Sequence, residues 1–185
     1  MGNFKFTKTA IDGVIIVEPT VYGDSRGFFM ETYCKKDFAL GGIDVEFVQD
    51  NHSMSSKGVL RGLHFQKQYS QSKLVRCIKG EVFDVAVDLR EGSPTFGKWE
   101  GVILSAENKR QFFIPKHFAH GFLVLSDEAE FVYKVDDYYH PNDEGGLMWN
   151  DKDIGIKWPI PKGLSIKLSE KDKLHPPFCE YKNKL

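Results

Sequence analysis

The chain has 185 residues, a formal net charge of −1 and 41% hydrophobic residues. This length suits one domain with a sizeable core, and we expect a single domain over residues 1–185. Because 25 basic residues balance 26 acidic ones, the bulk charge argues against partners such as nucleic acid or an anionic membrane. No signal-peptide pattern and no run of ~18 apolar residues is present, so the sequence predicts a cytoplasmic protein.

The cysteines agree with a reducing compartment. Cys34, Cys77 and Cys179 are odd in number and show no C-x-x-C spacing. This pattern argues against a disulfide framework and against a thiolate zinc site.

Short apolar runs separated by Gly, Pro, Asn and Asp fill most of the chain. They predict strands at 14–18, 28–33, 45–48, 59–66, 74–78, 81–89, 98–104, 111–114, 121–125 and 129–136. A short helix is predicted at 35–40 because two glycines follow it. Residues after Trp149 carry isolated apolar anchors and prolines, which is typical of an arm lying over a barrel. The fold class predicted is an all-β sandwich or jelly roll.

The segment 59–66, VLRGLHFQ, places three polar side chains in a predicted strand: Arg61, His64 and Gln66. His64 is the candidate general base, because imidazole is the side chain whose charge changes near neutral pH. The alternative is a barrel histidine held only by a hydrogen bond. Arg61 and His64 have opposite parity on an ideal strand, so a bulge or kink at Gly62 is needed to bring both into one cavity.

Two later elements supply possible partners for His64. Lys73 opens an apolar strand and could stabilise an enolate oxygen as a point charge. Alternation within 82–88 places Asp84 on one face with Val82 and Ala86. Because aspartate is disfavoured in mid-strand, we expect Asp84 to face a polar cavity.

The segment 114–122, IPKHFAHGF, invites a metal interpretation through its two histidines. A cupin-type site uses an H-x-H pair, but Phe65 and Gln66 follow His64, so we expect no metal. We expect His120 instead to donate a hydrogen bond to a ligand oxygen.

The segment 131–139, FVYKVDDYY, offers tyrosines for two roles. A hydroxyl that reaches a cavity can serve as a general acid, and an exposed ring such as Tyr138 or Tyr139 can stack on a planar base. The alternative is an aromatic strand that ends at a wet edge. Neither a Walker A loop nor G-x-G-x-x-G is present, so a nucleotide would be bound without those devices.

Several long motifs together resemble one enzyme family. They are GDSRGFFMET, FVQDNHSMSSKGVLRGLHFQ, KLVRCIKGEVFDVAVDLR, FGKWEGVILSAENKRQFFIPKHFAHGF and LSEKD. In order and spacing they resemble dTDP-4-dehydrorhamnose 3,5-epimerase over nearly the whole chain. The resemblance implies a cupin-like jelly roll (double-stranded β-helix) that forms a homodimer and uses no metal or other cofactor. The implied reaction converts dTDP-4-dehydro-6-deoxy-D-glucose to dTDP-4-dehydro-L-rhamnose, a step towards dTDP-L-rhamnose for polysaccharides.

The resemblance also assigns roles to residues. It implies His64 as the base, Tyr133 as the acid, Asp172 as the carboxylate that orients the histidine, and Lys73 as the cation near the ketone oxygen. The aromatic side chain stacked on thymine falls on Tyr139. The other implied substrate contacts are Arg26, Glu31, Gln49, Asn51, Arg61, His120, Glu144 and Lys171. Whether Asp84 or Asp172 lies closer to His64 stays open at this stage.

Three other functions fit parts of the pattern. A single-carbon epimerase acting on a related nucleotide 4-ketosugar would share the same base. A non-catalytic cupin-like sugar-binding module would use the polar residues only as hydrogen-bond partners. A metal-dependent cupin enzyme would require the missing H-x-H pair.

Overall fold

The computed structural model describes residues 2–182. The strands are β1 (Phe4–Lys8), β2 (Ile15–Pro19), β3 (Tyr22–Asp24), β4 (Gly27–Phe29), β5 (Gln49–Ser56), β6 (Leu60–Gln66), β7 (Lys73–Lys79), β8 (Glu81–Asp88), β9 (Trp99–Ser105), β10 (Gln111–Ile114), β11 (Phe118–Val124), β12 (Glu128–Val135) and β13 (Glu144–Gly146). The helices are α1 (Lys35–Leu40) and α2 (Phe178–Lys182), with 3-10 turns at Pro141–Asp143 and Asp172–Leu174.

Two antiparallel sheets form the body of the fold. The six-stranded sheet has the order β1-β2-β10-β7-β12-β5, and the five-stranded sheet has the order β13-β6-β11-β8-β9. Strands β3 and β4 form a separate hairpin. The all-β, cupin-like jelly roll predicted from the sequence is confirmed, as are its short helices. No helix within residues 2–182 is long and apolar enough to cross a membrane.

Three apolar clusters hold these layers together. The central cluster takes residues from both sheets, such as Val75 and Phe131 on one side and Val82 and Phe122 on the other. The period-2 pattern of the strands explains this arrangement, because alternate side chains point into the sandwich.

The other two clusters lie on the outer sheet faces. On the six-stranded sheet, α1 buries Phe38 against Val17 and Phe113. On the five-stranded sheet, the C-terminal arm packs Ile154 and Phe178 against its outer face. The predicted arm over the barrel is therefore present in the structure.

Some predicted element bounds were wrong. Residues 45–48 are not a strand: Val45 and Phe47 pack against the cluster under α1, and the Val48 N–H donates to Val135 O at 2.9 Å just before β5 begins. The strand predicted at 28–33 ends at Phe29. Strand β5, QDNHSMSS, was missed because it is a polar edge strand with little apolar alternation. Strand β1 was also missed.

Candidate active site

A bulge in β6 brings Arg61 and His64 to one face. In the pairing with β11, His64 lies opposite His120 and Arg61 lies opposite Phe122, so β6 carries one extra residue between them. Gly62 occupies this position with φ 124°, and a Cβ there would lie 2.6 Å from the Gly121 Cα. Only glycine fits such a close backbone approach. The kink that the sequence predicted at Gly62 is present.

The His64 ring is held by Asp172. The distance from His64 Nε2 to Asp172 Oδ1 is 2.5 Å, and the Asp172 side chain is only 4% exposed. Burial alone would raise the pKa of Asp172, but its hydrogen bonds with His64 and Ser169 hold that pKa below the usual value. Asp172 is therefore ionised, and Nε2–H of His64 donates to it. This leaves the lone pair of the neutral imidazole on Nδ1.

The C-terminal tail brings Asp172 to this place. The Lys167 N–H donates to Gly58 O at 2.8 Å, and the Leu60 N–H donates to Lys167 O at 3.0 Å, so the tail runs beside the start of β6. The Ser169 hydroxyl then accepts the backbone N–H of Asp172 at 3.1 Å, at the start of a 3-10 turn. Backbone pairing of the arm thus fixes a carboxylate that lies 108 positions from His64.

One small cavity is lined by most of the candidate catalytic residues. It measures about 120 Å³, and its lining includes His64, Lys73, Tyr133, Tyr139 and Glu144. Burial lowers the pKa of Lys73 to about 8, although the charge of Asp84 opposes the shift. Burial raises the pKa of Tyr133, against a smaller opposing effect of Arg61. At neutral pH the cavity therefore holds a neutral tyrosine and a largely protonated lysine.

Asp84 pairs with His120, not with His64. His120 Nε2 lies 3.0 Å and 2.9 Å from the two carboxylate oxygens of Asp84. Both side chains are buried, and burial lowers the pKa of His120 and raises that of Asp84. Asp84 was predicted to face a polar cavity; it lies in the interior, paired with His120, and is not part of the lining of the small cavity. His120 lies opposite His64 in the pairing of β11 with β6.

A second cavity, of about 320 Å³, adjoins the first through His64 and Glu144. Arg61 lines it, with its Nε–H donating to Ser55 Oγ at 3.1 Å. Lys171 also lines it and pairs with Glu144. The predicted cations Arg61 and Lys171 are therefore brought together beside the base.

Gln66 organises the rim of the smaller cavity. Its Nε2 donates to Tyr69 O at 2.6 Å and to Tyr138 O at 3.2 Å, and its Oε1 accepts the His140 N–H at 2.6 Å. This buried amide joins the loop after β6 to the loop that carries Tyr139. Tyr139 itself is 50% exposed at the cavity rim, where its ring is accessible for stacking.

Four predicted contact residues lie elsewhere in the single chain. Arg26 pairs with Asp24 and lines a cavity within its own hairpin. Glu31 accepts a hydrogen bond from Asn3 at 2.9 Å. Gln49 and Asn51 bond each other at 2.9 Å on β5, and Asn51 lines a further cavity that Tyr133 also touches.

Sequence reasoning missed His175, which lies next to Asp172. Its Nε2 is 3.3 Å from Asp172 Oδ1, and its ring packs edge-on against His64 with centroids 5.4 Å apart. The i, i+3 spacing of Asp172 and His175 was a usable signal, because those positions eclipse in a 3-10 turn.

Comparisons with known proteins show which family the chain belongs to. The family model described as dTDP-4-dehydrorhamnose 3,5-epimerase matches residues 8–180. The chain belongs to this family. A relative from Shigella flexneri with that name is 63% identical over 167 residues, covering 89% of this chain and 91% of the relative. The resemblance stated from the motifs is therefore confirmed, and the chain is an isomerase of the epimerase type.

Two similar solved structures differ in the number of carbons that the named enzyme epimerises. The epimerase of Legionella pneumophila, in complex with dTDP-4-keto-L-rhamnose, is 54% identical, with a TM-score of 0.91 and coverage of 95% and 93% of the two chains. A 3'-monoepimerase of Streptomyces bikiniensis, in complex with dTDP-quinovose, is 30% identical with a TM-score of 0.82 and covers 95% of each chain. The fold is thus shared by double and single epimerases.

Proposed function

We propose that the chain converts dTDP-4-dehydro-6-deoxy-D-glucose to dTDP-4-dehydro-L-rhamnose by inverting C3 and C5, in dTDP-L-rhamnose biosynthesis. One observation carries the proposal: His64, oriented by Asp172, opens onto a cavity shared with Lys73 and Tyr133. A base, a cation and a neutral acid around one small space are the groups that inversion next to a ketone requires.

The chemistry begins at a C–H bond beside the C4 ketone. Nδ1 of His64 removes the proton, and the resulting imidazolium is stabilised by the ionised Asp172. Negative charge develops on the ketone oxygen, where the Lys73 ammonium stabilises the enolate. His120 donates its Nδ1–H to this oxygen, while Asp84 holds its Nε2.

The inversion itself requires a proton from the opposite face. Tyr133 supplies it, because burial raises its pKa and keeps the hydroxyl protonated. The phenolate is then reprotonated from solvent, and the His64 imidazolium releases its proton to solvent, so both groups are reset. A second round at the other carbon beside the ketone inverts that centre too. Each proton transfer uses a side chain of the protein, so this scheme requires no cofactor.

The nucleotide portion of the substrate would bind beside the reacting sugar, at the larger cavity and at the rim. Arg61 and Lys171 line the larger cavity and suit the diphosphate, since both carry positive charge beside the base. Tyr139 stacks on thymine at the rim. Contacts with these remote groups fix the sugar over His64 and so supply orientation.

We propose that the protein is a cytoplasmic homodimer in which each subunit is one domain spanning residues 1–185. The hairpin β3–β4 exposes Tyr22, Phe28 and Phe29 to 55%, 60% and 67%, and such adjacent aromatic rings suit an interface. Arg26, at the tip of the same hairpin, would then approach the site of a second copy together with Glu31. Light scattering of the native protein and of Phe28→Asp, which places a charge in the hairpin, tests this interface. The variant should have half the molar mass of the native protein. A monomer mass for the native protein would contradict the dimer, and a dimer mass for both proteins would contradict an interface at this hairpin.

Product stereochemistry tests the proposed reaction. The purified protein is incubated with dTDP-4-dehydro-6-deoxy-D-glucose, the ketone is reduced with borohydride, and the sugars are released and identified. Inversion at C5 gives sugars of the L-series, which we expect. Inversion at C3 alone leaves D-series sugars and indicates the monoepimerase activity that one structural relative has. Unchanged substrate configuration would contradict epimerisation.

A further inference from the structure

His175 carries a buried nitrogen that the proposed mechanism does not use. The side chain of His175 is 9% exposed, and its Nε2 has no hydrogen-bond partner within residues 2–182. Buried polar atoms in folded proteins are nearly always paired, so an unpaired one calls for an explanation. Nε2 lies 3.3 Å from Asp172 Oδ1, the oxygen that already pairs with His64 Nε2 at 2.5 Å.

The ring of His175 is seated in a fixed place. It packs edge-on against His64, with the ring planes at 75°. On its other side it rests on Gly146, where a Cβ would lie only 2.2 Å from the His175 Cε1. Gly146 pairs with His64 across β13 and β6. The absence of a side chain at Gly146 therefore admits the ring and aims its Nε2 at the dyad.

The structure assigns to His64, Asp172 and His175 a binding site for a divalent transition cation such as Zn²⁺, at which the cation inhibits the enzyme. One ligand atom from each residue lies within 4.8 Å of the others. Two imidazoles and one carboxylate are a donor set that Zn²⁺ accepts in proteins.

The distances fit a tetrahedral ion after a small movement. Zn–N and Zn–O bonds of about 2.0–2.1 Å place neighbouring ligand atoms about 3.3 Å apart. The separation of Asp172 Oδ1 and His175 Nε2 is already 3.3 Å. The separation of His64 Nε2 and Asp172 Oδ1 is 2.5 Å, so these two atoms must move apart by about 0.8 Å.

The local charges favour a cation here. Asp172 contributes a negative charge that is 4% exposed and only weakly screened by water. The neighbouring ammonium of Lys171 is paired with Glu144, which offsets its repulsion. Both imidazoles bind metal in their neutral forms.

Coordination would inactivate the base by a change of tautomer. In the metal-free site, the His64 proton is on Nε2 and the lone pair is on Nδ1. A cation bound to Nε2 requires a lone pair on that atom. The ring proton therefore leaves Nε2 and relocates through solvent to Nδ1, the atom that must accept the substrate proton. Inhibition therefore rests on the proposed function, whereas binding of the cation does not.

Two measurements on the intact, metal-stripped protein test the site. Binding is followed with Co²⁺, whose visible absorption reports a tetrahedral N/O environment, and by isothermal titration with Zn²⁺. Inhibition is followed as the Zn²⁺ concentration that halves the epimerisation rate. We expect one cation per chain, with inhibition reversed by EDTA.

Variants identify the third ligand. His175→Phe keeps a planar ring over Gly146 but removes the nitrogen, and His175→Ala provides a second, smaller replacement. Each variant is compared with its own metal-free rate, which also reports folding. Loss of an outer-shell partner already weakens metal binding about 10–100-fold, so loss of this ligand should raise the inhibitory Zn²⁺ concentration at least about tenfold. His52→Ala, which removes an exposed histidine on β5, should match the native protein.

The outcomes separate the two proposals. If His175→Phe and His175→Ala were as sensitive to Zn²⁺ as the native protein, or if no Co²⁺ bound, the cation site would be wrong. If Co²⁺ bound in a His175-dependent way but the substrate were not epimerised, the site would stand and the proposed function would fail.

Discussion

His64 and Asp172 lie 108 positions apart in sequence, yet Nε2 of one is 2.5 Å from Oδ1 of the other. The contact depends on the backbone pairing of the tail with the start of β6, through Lys167. It decides which tautomer the imidazole adopts, and so which nitrogen faces the substrate.

Replacing Asp172 by Asn should therefore damage the base without removing it. The amide can donate to His64 Nε2, which favours the tautomer with its proton on Nδ1 and removes the lone pair from the cavity. We expect kcat to fall by about 10²–10⁴-fold, as is typical for loss of general-base function. Asp127→Asn, at a side chain that is 97% exposed, is the matched control and should keep the native rate. Equal rates for both variants would remove Asp172 from the mechanism.

Tyr133→Phe should separate proton removal from inversion. His64 still abstracts a proton, exchanges it with solvent and returns deuterium to the same face, whereas the opposite face has lost its acid. In D₂O we expect deuterium to enter the unconverted substrate while product formation falls by about 10²–10⁴-fold. Tyr138→Phe, at an exposed ring, serves as the control. Native rates of product formation in Tyr133→Phe would show that another group is the acid.

The pH dependence of turnover should reflect Lys73. Because burial lowers its pKa to about 8, the ammonium is present below that pH and is lost as the pH rises through it. We expect kcat to decline above about pH 8. Tyr133 does not explain such a decline, because burial raises its pKa. The residual activity of Lys73→Arg should lack the decline, since guanidinium stays charged. A native rate that stayed constant far above pH 8 would contradict the role of Lys73.

Gly62→Ala should disrupt the bulge that aligns Arg61 with His64. A Cβ at this position would lie 2.6 Å from the Gly121 Cα, and φ is 124°. We expect a loss of about 3 kcal/mol or more in the free energy of unfolding, measured by urea titration. The control is Gly92→Ala, where φ is 73° and nothing lies within 4 Å of the added Cβ. It should cost only about 1 kcal/mol. Similar losses in the two variants would show that close approach at Gly62 is unimportant.

The sequence predicted those parts of the fold and site that depend on local pattern. Apolar runs located most strands, α1 followed from its terminal glycines, and alternation placed Asp84 in the interior. The parity conflict between Arg61 and His64 even located the bulge at Gly62. Each of these features follows from neighbours within a few positions.

Contacts between residues far apart in sequence, and polar edge strands, could not be predicted from local pattern. Strand alternation indicated Asp84 and the family resemblance implied Asp172. The sequence left open which of them lies closer to His64, because the path of the tail determines the answer. The edge strand β5 carries too few apolar residues to show a period of two. His175 gains its position from Gly146, on a strand that only the folded chain places beside it.

The most direct test of the mechanism is proton NMR in D₂O of the native protein and His64→Ala with dTDP-4-dehydro-6-deoxy-D-glucose. For the native protein, the mechanism predicts loss of the proton signals at both C3 and C5, and for His64→Ala it predicts that both signals persist. Exchange at only one carbon of the native reaction, or normal exchange in His64→Ala, would contradict double epimerisation by this base.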